Sequence, residues 1–228
     1  KPPSTRTCSP SDQTPWGIEK IYNNSAINAT SGGAGVDVAV LDTGAKKDHL
    51  DLKNRVKQCK DFTGSGEPTN SCKDNNGHGT HVAGTIAADA GSDKKGVFGV
   101  APEANLFIYR VCSNFCFTDD IAAAIDFAGK NGAEIVSMSL GGDTESSLVR
   151  DAIKRNPHLL FVAAAGNDGP DLGTIDYPGA NVNVMAVAAI DSTETVPDFS
   201  SRGINNGDFV IEVREVEVAA PGVSVLST

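Results

Sequence analysis

The chain has 228 residues and a mass of 23.6 kDa, enough for one large domain with a real core or two small ones but not for a multidomain assembly. Nineteen Lys and Arg against 29 Asp and Glu give a net charge of -10 and a pI near 4.8, so nucleic acid and anionic membrane surfaces are excluded as favoured partners. With 39% hydrophobic and 21% charged residues it should fold. No window reaches the roughly 18–20 apolar residues of a membrane span. The opening KPPSTRTCSP carries neither Met nor an apolar signal core and reads as the start of a processed chain.

Near-continuous apolar runs at 36–42 (VDVAVLD), 104–111 (ANLFIYRV), 134–140 (EIVSMSL), 159–165 (LLFVAAA) and 182–189 (VNVMAVAA) read as strands covered on both faces. Between them, the segments 81–90, 118–132 and 145–156 place apolar residues every three or four positions and predict helices. The second carries terminal signals: Thr118 as N-cap, acids in the first turn and Gly132 at the end. FVIEVREVEV at 209–218 alternates strictly after an Asn-Asn-Gly turn and predicts a half-exposed edge strand or hairpin. Neither repeats nor a linker interrupt the pattern. It predicts one α/β domain over 1–228, a doubly wound, mostly parallel sheet flanked by helices in three layers. Functional groups then belong at the carboxyl ends of the strands.

Five cysteines, Cys8, Cys59, Cys72, Cys112 and Cys116, cannot all pair among themselves. Cys59 and Cys72 bracket the polar loop KDFTGSGEPTNS, and Cys112 and Cys116 sit in VCSNFCF. Neither spacing is that of a paired CxxC zinc site, so loop-stapling disulfides and an oxidising, extracytoplasmic compartment are expected. One must stay free or pair elsewhere, and Cys8 is the residue expected to be left without a partner among these five.

The first run ends in LDTG, which sets Asp42 at the mouth of the sheet; the alternative role for such an acid is capping a helix. In DNNGHGTHVAGTIAA, His78 lies in a glycine-flanked turn before a helix of small residues, where an imidazole can project into a cleft. His78 and His81 are three apart with no Glu after the first, which excludes a helical HExxH metal site. His81 reads as structural, and His49 and His158 as surface residues. The run AAAGN ends on Asn167, an uncharged donor suited to a developing oxyanion. SLGG at 139–142 is either an ordinary turn or a backbone edge for an extended peptide.

Taken together, VAVLDTG, NGHGTHVAGTIAA, SMSLGG, AAAGN, FSSRG and VAAPGVSVLST, in that order, resemble the motifs of the subtilisin-like serine proteases. The resemblance runs from PWGI at 15–18 to the last residue. It implies a secreted endopeptidase acting on extended polypeptides, in which Asp42 orients the imidazole, His78 is general base and then general acid, and Asn167 donates to the oxyanion. It makes Ser139, Leu140 and Gly141 the backbone edge that pairs with substrate. With Ala164, Ala165 and Gly166 they would wall the main specificity pocket, expected to be open, apolar and suited to large uncharged side chains.

The family's nucleophile lies in a GTSMA-type segment, and no such string occurs among the 228 residues. Ser137, Ser139, Ser200 and Ser201 match structural or substrate-binding positions. The fragment is therefore expected to stop before its nucleophile, to be incomplete at the C-terminus and to be inactive alone. Implied partners are polypeptide substrates, the protein's own propeptide or a C-terminal fragment carrying the nucleophile. The alternative is a catalytically silent subtilase-like peptide-binding domain, against which the joint presence of Asp42, His78 and Asn167 speaks. The implied cofactor is Ca²⁺: Asp12 and Asp51 match ligand positions, and Asp89 and Asp93 lie in the loop ADAGSDKKG that matches a further ligand source. Asp61, Asp74 and Glu217 are weaker candidates for a second cation.

Overall fold

The computed structural model describes residues 12–204 and 213–228. Cys8 and residues 209–212 of the alternating run lie outside the described residues. The predicted strands appear as β1 (Asp37–Asp42), β3 (Asn105–Arg110), β4 (Ile135–Met138), β5 (Leu160–Ala164) and β6 (Val184–Ile190). Two further strands, β2 (Val56–Asp61) and β7 (Val218–Pro221), complete a seven-stranded sheet in the order β2-β3-β1-β4-β5-β6-β7, with every pairing parallel. The predicted helices are α2 (His78–Ala87), α3 (Thr118–Lys130) and α4 (Ser147–Arg155); α1 (Trp16–Ile21) was not foreseen. Among the described residues no helix is long and apolar enough to cross a membrane.

Side chains alternate across each strand, so the two faces of the sheet build separate cores. Ala39, Leu41, Tyr109, Val136, Met138 and Phe161 pack with Ile121, Ile125 and Ile153 of α3 and α4. On the other face Val38, Val40, Leu106 and Ile108 pack with Ala83 and Ala87 of α2. The result is the expected three-layer architecture. Each fully buried Leu, Ile or Val contributes about 1.5–3 kcal/mol relative to exposure. Tyr109 is the largest buried side chain; its hydroxyl donates to Gln58 Oε1 at 2.9 Å, and burial pushes its ionisation far up.

Two expectations need correction. Thr118 is the first residue of α3 rather than its cap: Phe117 occupies that position and no side chain bonds the free N–H groups. The acids Asp119 and Asp120 do stand in the first turn, where the helix dipole favours them. Among the described residues of the alternating run only Val218 enters a strand; it begins β7, an edge strand parallel to β6, and Val213 and Arg214 form a turn. The cysteines behave as expected: Cys59 pairs with Cys72 and Cys112 with Cys116. The first pair ties edge strand β2 to the segment that precedes α2.

From β1 the chain passes toward β2 and β3, and from β4 it passes the opposite way toward β5. The strand order therefore reverses between neighbours β1 and β4, the place where α/β sheets open a crevice at their carboxyl ends.

Candidate active site

Asp42 is the last residue of β1 and is 2% exposed because that strand lies between β3 and β4. Its Oδ1 accepts from His78 Nδ1 at 2.7 Å and from the Thr43 N–H at 2.7 Å. Its Oδ2 is buried without a hydrogen-bond partner among the described residues, a costly state that a positive imidazolium beside it relieves.

His78 opens α2 directly after Gly77, whose φ of 104° turns the chain into the helix in a conformation that favours glycine. Its side chain is 51% exposed. With Nδ1–H directed to Asp42, the ring presents Nε2 as a lone pair, and no hydroxyl among the described residues bonds to it. The hydrogen bond to Asp42 raises the His78 pKa above 6.5; burial opposes this, and the charges of Asp42 and Asp74 add to it.

Asp74 fixes the start of α2. Its Oδ1 accepts from the N–H groups of Asn76 (2.9 Å) and Gly77 (2.8 Å) and from the Thr43 hydroxyl (3.0 Å). Its Oδ2 takes the N–H and hydroxyl of Thr80. Burial raises its pKa, but these bonds outweigh it and hold the carboxyl below the usual value. Thr43 closes the circuit by accepting the Gly79 N–H at 2.9 Å. Sequence reading offered Asp74 only as a weak cation ligand; its signal was an acid three residues before Gly77.

Ser139, Leu140 and Gly141 leave β4 as Ala164, Ala165 and Gly166 close β5, and the last paired register is Met138 with Ala163. Past that point residues 176–177 span both segments: Asp176 N–H donates to Ala165 O (2.8 Å), and Tyr177 and Gly142 exchange N–H···O bonds of 2.9 and 3.0 Å. Asn167 follows in the loop after β5, exposed, its amide unengaged among the described residues. On one side of Gly142 lies a cavity of about 140 Å³ lined by Leu140, Ile121, Val149 and Tyr177. A second cavity, of about 350 Å³, is lined by Asp143, Asp168, Thr174, Asp176 and Arg214. The latter is not apolar. Sequence reading missed Asp176 altogether.

The other predicted residues separate cleanly. His81 Nε2 meets Val225 O at 3.0 Å, a structural contact, and His49 Nδ1 accepts the Asp51 N–H at 3.2 Å. Ser200 and Ser201 are 1% exposed and accept the N–H groups of Ala189 and Asp168.

Of the cation candidates, Asp51 is 2% exposed and lies against Gly96, where a Cβ would stand 2.1 Å from Oδ1. The Gln13 carboxamide meets the carbonyls of Lys94 (3.0 Å) and Gly96 (2.6 Å) in the same loop. A buried carboxylate beside carbonyl and amide oxygens suits a hard cation. Asp12 accepts the Thr14 N–H at 2.9 Å, Asp93 accepts the Lys95 N–H at 3.3 Å, and Asp89 turns to Arg55 at 3.3 Å. Asp61 pairs with Arg110 at 2.8 Å, and Glu217 accepts the Ala186 N–H at 2.6 Å. Among the described residues the acids that do converge are Asp143, Asp168 and Asp176, within 4.8 Å of one another.

Residues 33–228 match the model of the Subtilase family. The chain is 50% identical to a subtilisin of Bacillus sp. (strain TA39), covering 96% of this chain and 56% of that one, so it spans little more than half of that relative. It is 39% identical to Subtilisin Savinase of Lederbergia lenta, covering 94% of this chain and 74% of the relative. Among solved structures it superposes on Sphericase with a TM-score of 0.91 and on the S41 Psychrophilic Protease with 0.90, each at 50% identity over 96% of this chain and 76% of the other.

Proposed function

Because this chain belongs to the subtilase family, we propose that the intact protein is a secreted serine endopeptidase, of which these 228 residues form the N-terminal and central part of the catalytic domain. The observation that carries the reading is the 2.7 Å contact of His78 Nδ1 with buried Asp42, which leaves Nε2 exposed at the carboxyl end of the sheet.

In the proposed cycle an extended polypeptide lies along residues 139–141 and forms main-chain hydrogen bonds there. A serine from outside the 228 residues attacks the carbonyl as His78 Nε2 removes its proton; Asp42 holds the ring in the Nδ1–H tautomer and stabilises the imidazolium. Asn167 donates its amide hydrogen to the oxyanion. His78 then protonates the departing amine, and a water, deprotonated at the same Nε2, releases the acyl group. These are the roles of the corresponding groups in subtilisin itself, carried over position by position.

Calcium, held by Asp51 with oxygens of the 88–96 loop and the neighbouring Asp12 and Gln13, would brace the N-terminal segment against α2 and take no part in proton transfer. Asp89 and Asp93 would serve through that loop. The two disulfides suit secretion.

The test is covalent labelling of the full-length protein by an active-site fluorophosphonate. Labelling is expected in the parent and lost in His78→Ala. Equal labelling of both would overturn the triad, and an unlabelled parent that still binds peptide would identify a silent binding domain.

A further inference from the structure

An acid stands between the two strand ends. Asp176 reaches between Gly141 and Gly166, and neither position has room for a side chain: a Cβ on Gly141 would lie 2.7 Å from Asp176 Cβ, and one on Gly166 would lie 2.6 Å from Asp176 Oδ2. Its backbone is fixed by the bond to Ala165 O at 2.8 Å. The carboxylate therefore lies against both glycines, and Asp176 also lines a cavity of about 350 Å³ with Asp143, Asp168, Thr174 and Arg214.

We propose that Asp176 makes the main specificity pocket select a cationic side chain, lysine or arginine, on the acyl side of the cleaved bond. This rests on the protease reading and on residues 139–141 and 164–166 as pocket walls, and it replaces the expectation of an apolar pocket.

Charge supports the assignment. Asp143, from the loop after β4, and Asp168, from the loop after β5, converge on Asp176, and none of the three is ion-paired among the described residues. The cation that lines the same cavity, Arg214, is directed to the Gly173 carbonyl at 3.2 Å and over the Tyr177 ring at 5.8 Å. Asp143 and Asp168 are exposed and Asp176 is half-buried, and like charges this close together disfavour ionisation. Burial, then Asp168 and Asp143, accordingly raise the Asp176 pKa to about 6. An ammonium or guanidinium entering the pocket supplies that counter-charge, and a neutral side chain leaves it unmet. The net charge of -10 draws basic peptides toward the cleft.

The experiment uses the full-length protein and peptide nitroanilides that differ only in carrying Lys or Phe before the scissile bond. In Asp176→Asn the ratio of kcat/KM for Lys over Phe should fall by roughly 10- to 100-fold, the range of a lost charge-assisted hydrogen bond. In the unmodified protein the same ratio should rise from pH 5 to pH 8 as Asp176 ionises. His78 acts on both substrates and cancels from the ratio, which leaves Asp143, Asp168, Asp176 and Arg214 as the charged groups that line the cavity among the described residues. Turnover with a ratio unchanged by both the substitution and pH would overturn the pocket assignment alone. Absence of turnover and of fluorophosphonate labelling would overturn the protease reading and the assignment with it.

Discussion

Gly79 packs closely against the end of β1, and Gly79→Ala is expected to misplace the His78 imidazole. An added Cβ would stand 2.1 Å from Gly44 O and 3.0 Å from Asp42 Oδ1. Ordinary contact begins at 3.4 Å, so the first distance is roughly 1.3 Å short. Gly44 cannot retreat, because the same loop is held by Ala45 N–H to Cys72 O at 2.8 Å, and Cys72 is bonded to Cys59. The helix must move instead, taking with it His78, the preceding residue, and the 2.9 Å bond from Gly79 N–H to Thr43. A misplacement of about 1 Å costs on the order of 10²-fold in rate, and overpacking costs about 1–3 kcal/mol of stability. The assay is kcat/KM on a peptide nitroanilide, with active sites counted by fluorophosphonate, alongside a calorimetric midpoint for the full-length protein. A kcat/KM within threefold of the parent would refute the reasoning, whatever the midpoint does.

Further outcomes follow from the site and from the proposed calcium. Because Asp42 raises the His78 pKa, kcat/KM should climb with pH through a midpoint above 6.5, and Asp42→Asn should move that limb to lower pH while depressing the plateau; a parent limb at or below 6.5 sinks the assignment. The linked stability has the opposite sense: with the folded pKa above the unfolded one, the contribution of the pair is complete below about pH 6.5 and is lost as pH rises through the folded value. For calcium, removal by chelation should lower the melting midpoint by about 5–10 °C where the ion had been present at a hundred times its Kd, and Asp51→Asn should abolish the difference; a midpoint indifferent to chelation removes the metal.

What could be read from the sequence follows burial. β1 and β3 are covered on both faces, which forces near-continuous apolar runs, and Asp42 stands out as the charge that ends one of them. β2 escaped because VKQCKD lies at the edge of the sheet and keeps polar residues. α1 has only six residues, too few for its periodicity to register. Asp74 and Asp176 were illegible for another reason. Each acquires its role from partners brought together by loop closure, Thr43 and Thr80 in one case and Gly141 and Gly166 in the other. The only local sign of Asp176 is an acid before the Tyr-Pro-Gly turn.

The strand order also bears on when the site comes into being. β4 must dock against β1 on the flank that β3 leaves free, and β5 can pair only after β4 is in place. Parallel pairings of this kind close long stretches of chain before contacts reward them, and they form slowly. A chain folded only through β3 would hold the Asp42–His78 contact with neither the substrate edge nor Asn167 beside it. On the protease reading, hydrolytic competence is then tied to completion of the sheet, and a half-folded molecule would pose little danger to its unfolded neighbours.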